Sequence, residues 1–198
     1  MKKIPTLFVR EYGDHKVIGI KPKLTSPDLQ WVLDGDGIAT VKWDGSCCAI
    51  INGLFYKRFD AKAGRKIPKD AIPCCDPDPI TGHWPHWVPM SISDASSKWY
   101  IAAFINFTEF RTDGTYEAVG PHFNGNPYGF EEDILIPHGK HLIDELNKKL
   151  LAETPHERSF EQIREFLKEH EIEGIVFWKD GEPQCKIKRS DFGFAWPV

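Results

Sequence analysis

The chain has 198 residues, 41% hydrophobic and 13% aromatic, with a formal net charge of −4. That is enough apolar material for one substantial core, and too little positive charge for a sequence-independent nucleic-acid coat protein. No segment approaches the ~20 apolar residues of a membrane span, and the opening MKKIPTLFVREYGDHK meets charge and glycine before any long apolar run. We therefore expect an intracellular, cytoplasmic protein with no membrane partner, a monomer, folded as one domain over residues 1–198. Its five cysteines form two adjacent pairs, Cys47-Cys48 and Cys74-Cys75, plus Cys185. An odd count without C-x-x-C spacing argues against a disulfide framework or a zinc knuckle and fits a reducing compartment. A metal site from Cys74, Cys75, His83 and His86 is the less favoured reading of that region, since loop thiols more often have no ligand role.

In chain order, TSPDLQWVL offers Ser26 as an N-cap and Pro27 as the first helical residue, which predicts a short helix. GIATVKW, CCAIING and LFYKRFD read as three strands, with Asn52-Gly53 as a tight hairpin turn between the last two. Lys42 then ends the first strand of an antiparallel meander, and Trp43–Ser46 reads as its first turn. Residues 67–92 are proline-rich without periodicity and read as a long loop. After the cap residues Asp94 and Ser96, Trp99, Ala102, Ala103 and Phe107 share a helical face, and TDGTYEAVGP returns to strand. HLIDELNKKLL spaces Leu142, Ile143, Leu146 and Leu150 as a helix. SFEQIREFLKEH opens with a Ser159–Gln162 capping box and points Phe160, Ile163, Phe166 and Leu167 to the core. EGIVFW and PQCKIKR form a last pair of strands around the turn at 179–182.

Chemistry-bearing residues fall at strand ends or within strands: Lys42, Asp44, Arg58, Glu117, Glu173, Lys186 and Lys188. K-x-D-G alone occurs by chance in roughly one chain in twenty of this length. The order says more than any one motif. A strand-end Lys42 in KWDG, then YEAVG, EGIVF and KIK resemble, in sequence, the motifs of the covalent nucleotidyltransferases, the superfamily of ATP-dependent DNA and RNA ligases and mRNA capping enzymes. GTYEAVGPHFNGNPYG and KIKRSDFGFAWP are most similar to a small family of 5′-to-3′ RNA ligases of vertebrates, viruses and microbes.

The resemblance implies an α+β nucleotidyltransferase fold, a ligase catalytic domain of antiparallel sheets flanked by helices. It implies ATP and Mg²⁺ (or Mn²⁺) as cofactors, and as substrate an RNA with a 5′-phosphate and a 3′-hydroxyl end. Lys42 would attack the α-phosphate of ATP, and Lys186 and Lys188 would contact that phosphate. Glu173 would support the metal, Glu117 would contact ribose or metal, and Arg58 would read a phosphate of the acceptor RNA. Val41, Lys42, Asp44, Gly45, Arg58, Glu117, Glu173, Lys186 and Lys188 thus make up the expected nucleotide site. Lys57, Arg58, Lys62, Arg65 and Lys66 make a basic run suited to RNA.

The residue types suit that chemistry by themselves. A lysine with pKa near 10.4 is neutral in about one molecule in a thousand near pH 7.4, so a nucleophilic lysine needs desolvation or cationic neighbours. Lys186 and Lys188 alternate along a strand and so share a face, with Ile187 turned to the core. The blander readings are a hairpin end for Lys42, a solvated face for the basic run and a charged edge strand for KIK. Two departures stand out. Cys47 replaces the arginine of the K-x-D-G-x-R of many DNA ligases, and Val41 replaces the carboxylate that many RNA ligases place before the lysine. The chain ends soon after KIKR, so no OB-fold domain is expected. The alternatives to an RNA ligase are a DNA or mixed nick sealer of the same superfamily and an inactive nucleic-acid-binding domain.

Overall fold

A computed structural model describes residues 3–14, 16–61, 65–79, 81–109, 111–148 and 158–198. It is a mixed α/β chain with few helices, and every named strand pair is antiparallel. Two compact units are present: one formed by Ile4–Trp43 with Gly139–Val198, the other built on Asp44–His138.

In the first unit, β1 (Phe8–Gly13) and β2 (Lys16–Leu24) form a two-stranded ribbon. A three-stranded sheet has β10 (Gly174–Lys179) at its centre, with β11 (Glu182–Lys188) on one side and β3 (Ile38–Lys42) on the other. Alternation along these strands produces two unlike faces. Ala39, Val41, Ile175, Phe177, Cys185 and Ile187 face the core, where they meet Ile163, Phe166 and Leu167 of α3 (Phe160–Glu169). Lys42, Thr40, Val176, Lys186 and Lys188 occupy the other face. The Ser159–Gln162 capping box forms as predicted, with Gln162 N donating to Ser159 Oγ at 3.1 Å and Ser159 N to Gln162 Oε1 at 2.7 Å. Ser26 likewise caps the turn Pro27–Leu29 that leads into α1 (Gln30–Leu33).

In the second unit, six strands run in the order β6 (Ile72–Pro73), β7 (Trp84–Pro89), β5 (Leu54–Ala61), β4 (Ser46–Ile51), β8 (Gly114–Val119), β9 (Ile134–Pro137). Cys48, Ile50, Tyr116, Ala118 and Leu135 pack with Ala103 of α2 (Lys98–Asn106) and with Phe107. The opposite face carries Cys47, Glu117 and Arg58.

Several expectations are corrected here. β3 does not begin a meander: it pairs with β10 rather than β4, so Trp43–Ser46 is a crossing between sheets and not a hairpin. Gly45 suits such a crossing, because a Cβ there would collide with the Ala118 carbonyl oxygen. The stretch 67–92 is not all loop, since β7 lies within it. Pro85 and Pro89 are tolerated because their missing N–H groups would point away from β5. The Pro85 carbonyl accepts from Cys74 N at 2.9 Å on the β6 side, whereas Met90 N donates to Phe55 O at 3.0 Å on the other. Leu142 is half exposed and leaves the core to Ile143 and Leu146, because the backbone at Ile143 is extended and its N–H donates to Ala39 O. Leu150 lies outside the described residues.

Candidate functional site

The geometry centres on Gly174. Lys42 of β3 and Lys188 of β11 both stand directly opposite it, one on each side of β10. A side chain at position 174 could not fit, because its Cβ would strike the Ile187 carbonyl oxygen. Glu173, one residue before the strand and 4% exposed, accepts from Lys42 Nζ through Oε2 and from Lys188 Nζ through Oε1. Lys186 lies two residues before Lys188 on the same face. Burial pushes its ammonium down to about 8, helped by repulsion from Lys42 and Lys188 and opposed by Glu173. Three ammonium groups thus share one buried carboxylate.

Neighbours missed in the sequence hold this cluster in place. Asp191, 2% exposed, accepts from Lys188 N at 2.9 Å and from Arg10 Nε at 2.8 Å. Glu173 O accepts from Arg189 N at 2.9 Å. Arg189, which follows Lys188, is buried: it donates to the Leu167 and His170 carbonyls at the end of α3. Its charge satisfies helix-end acceptors. Val41 faces away from Lys42, against the core.

The remaining expected residues belong to the other unit. Gly45 N donates to Glu117 Oε1 at 3.1 Å, and Glu117 Oε2 lies 2.9 Å from His138 Nε2. His138 Nδ1 is 2.9 Å from Thr115 Oγ1. Asp44 Oδ1 accepts from Asn124 Nδ2 at 2.8 Å, and Asp44 N donates to the Tyr128 hydroxyl at 2.7 Å. His138, Asn124 and Tyr128 carried no signal beyond lying in or near the quoted GTYEAVGPHFNGNPYG stretch. Arg58 Nε donates to Asp60 Oδ1 at 2.8 Å, and its guanidinium also reaches Cys47. Lys57 turns to the opposite face, where Nζ donates to Asp94 Oδ2 at 2.7 Å and to Ser97 Oγ at 3.1 Å. Arg65 and Lys66 are exposed, and Lys62 lies outside the described residues. Cys74, Cys75, His83 and His86 do not gather into a metal-ligating group; among the described residues, Cys47, Glu117 and His138 do.

A buried carboxylate thus accepts from two lysines on one sheet face, with a third lysine beside them and one of the three at a strand end. No protein-family model matches the chain. It is similar to RNA ligase 1 of Pongo abelii, 27% identical over 280 aligned positions that span 100% of this chain and 82% of that protein. RNA ligase 1 of Danio rerio is 28% identical over 149 positions, 59% of this chain and 43% of that protein. RNA ligase 1 of Mus musculus is 24% identical over 282 positions, with 100% and 82% covered. These similarities support an RNA ligase family for the chain. No helix among the described residues is long and apolar enough to cross a membrane.

Proposed function

We propose that the protein is an ATP-dependent RNA ligase that joins a 5′-phosphate to a 3′-hydroxyl end. The observation that carries this reading is the convergence of Lys42, Lys186 and Lys188 on Glu173. In the first step the Lys42 Nζ lone pair attacks the α-phosphorus of ATP, the bond to the β-phosphate breaks and pyrophosphate leaves. Nζ must lose a proton to attack, and Glu173 Oε2 is the acceptor in contact with it. Lys186 and Lys188 then face the charge that develops on the phosphoryl oxygens, which is where preorganised donors lower a barrier most.

In the second step the RNA 5′-phosphate displaces Lys42 from AMP, and in the third the 3′-hydroxyl displaces AMP to form the phosphodiester. Mg²⁺ or Mn²⁺, when bound, would offset phosphate charge, and Glu173 offers the oxygen donors that such ions take. Glu173 would fit that role best once Lys42 is adenylylated, because the neutral phosphoramidate no longer pairs with Oε2 as the ammonium does. Arg65 and Lys66, exposed and, among the described residues, without a carboxylate of the kind that engages Lys57, supply RNA phosphate contacts.

The test is incubation with ATP, GTP or NAD followed by intact mass measurement and peptide mapping. An acid-labile AMP adduct on Lys42, formed fastest with ATP and followed by sealing of nicked or looped RNA, is the expected result. A faster GTP adduct would move the reading to a capping-type guanylyl transfer. Sealing of DNA in preference to RNA would favour a DNA nick sealer, and no adduct with any nucleotide would leave a binding domain.

A further inference from the structure

The polar face of the six-stranded sheet carries a second cluster. Cys47 of β4 stands directly opposite Glu117 of β8, Glu117 stands opposite Ile136 of β9, and His138 lies two residues beyond Ile136 on the same face. The Cys47 Sγ, a Glu117 carboxylate oxygen and a His138 ring nitrogen all lie within 4.8 Å of one another, and all three residues are partly buried. We propose that Cys47, Glu117 and His138 form a binding site for a thiophilic divalent cation of the Zn²⁺ class, distinct from the Mg²⁺ that ligation would use. The inference stands independently of the ligase reading.

The donor set selects the ion. A thiolate, an imidazole and a carboxylate suit zinc, whereas magnesium takes oxygen donors and holds its waters. Three protein ligands leave a fourth tetrahedral position for water or an exogenous group. At zinc bond lengths of ~2.0–2.3 Å, neighbouring tetrahedral ligands lie roughly 3.3–3.6 Å apart. Closing the site therefore needs the His138–Glu117 pair, now 2.9 Å apart, to open slightly and the thiol to draw in.

Orientation is already provided. His138 Nε2–H donates to Glu117 Oε2 at 2.9 Å, since a carboxylate only accepts, and Nδ1 lies 2.9 Å from Thr115 Oγ1; on binding, the ring proton moves to Nδ1, which donates to Thr115 Oγ1 while Nε2 takes the ion, the outer contact typical of a metal-bound imidazole. Glu117 Oε1 remains on Gly45 N while Oε2, released from His138 Nε2–H, turns to the ion. The charges also close: on binding, the Cys47 proton leaves to solvent, and thiolate plus carboxylate balance the 2+ ion. Arg58, which reaches Cys47 from β5, keeps Asp60 as its own counter-charge. Burial and Glu117 push the free thiol up to about 12, so without an ion the cysteine is a poor nucleophile.

The experiment uses Co²⁺ as a spectroscopic probe of the full chain, then Zn²⁺ to displace it. One equivalent should give tetrahedral d–d bands and a thiolate-to-cobalt charge-transfer band. Cys47→Ser should abolish the charge-transfer band, and His138→Gln should weaken binding at least tenfold. Cys74→Ser/Cys75→Ser should leave both unchanged. A measurement on the unaltered chain covers any folding defect: zinc K-edge absorption of the chain loaded with one equivalent of Zn²⁺ should show one sulfur at ~2.3 Å beside nitrogen or oxygen donors. Absence of a thiolate band, a band that survives Cys47→Ser, or a zinc shell with no sulfur or with two would overturn the proposal.

Discussion

Replacing Lys186 with methionine should change how stability responds to pH, and the size and sign follow from the cluster. Lys186 faces Lys42, Lys188, Glu173 and Arg10, and its ammonium is pushed from 10.5 to about 8, chiefly by burial. The folded chain therefore sheds this proton before the unfolded chain does. Between about pH 8 and 10.5 the unfolded state holds more protons, so stability rises with pH there, the reverse of a lysine that gains a partner on folding.

The gap between the two values corresponds to about 3 kcal/mol at most, less after solvent screening of a side chain that is partly exposed. Of this, about 2 kcal/mol should be recovered between pH 7 and 9.5. Urea unfolding followed by tryptophan fluorescence at those two pH values, for the wild type and Lys186→Met, measures it. Thiols and tyrosines also titrate in this window, but they are common to both proteins and cancel in the difference. The wild type should gain about 2 kcal/mol relative to the variant. Equal changes in the two proteins would mean that Lys186 does not sit among the other cations.

Three further outcomes test the site and the fold. Lys188→Ala should lower sealing at least about a hundredfold, or roughly 3 kcal/mol of lost transition-state stabilisation, in single-turnover assays. Lys42→Ala should form no AMP adduct yet recover measurable sealing of RNA supplied already adenylated at its 5′ end, as that substrate bypasses the missing nucleophile; total inactivity on adenylated RNA would instead make Lys42 structural. Arg158 is fully buried and donates to the carbonyls of Leu146, Asp36 and Gly37, so Arg158→Leu should cost several kcal/mol in urea unfolding by leaving those acceptors unpaired.

How much was legible in the sequence depended on whether the signal was local. Asn52-Gly53 and Asp180-Gly181 were readable because their turns demand left-handed backbone, and φ is 51°, 73°, 53° and 77° at those residues. The capping box at Ser159 was readable because its Ser-x-x-Gln spacing is itself local. Pairing was not local: the strand at 38–42 announced itself, but its partner, β10, lies more than 130 residues on. Prolines hid β7, because proline content shows that a ladder is interrupted without showing which side of the strand is affected. Within the site, Lys186 and Lys188 were legible from alternation along one strand, and Lys42 and Glu173 from the order of the motifs in which they fall. His138 was not, since a histidine after a proline at a strand end has no periodic signature. Nor was the burial of Arg189, because composition records a charge but not whether carbonyls surround it.

The charge of the cluster states what it lacks. Lys42, Lys186 and Lys188 bring three positive charges to one buried carboxylate, while Arg10 and Asp191 neutralise each other beside it. The surplus destabilises the empty fold and is relieved by an anion, so a small tetrahedral dianion that keeps its charge across the pH range should bind there. Millimolar sulfate at low ionic strength should therefore raise the melting temperature more at pH 7 than at pH 9.5, where Lys186 has lost its proton. The effect should fall with added chloride as the Debye length shortens toward ~10 Å at 0.1 M. General salting-out would act alike at both pH values and on every variant. Lys188→Ala should lose most of the sulfate response at pH 7; a response unchanged in that variant, or equal at the two pH values, would place the anion elsewhere and remove the electrostatic basis for nucleotide binding on this face.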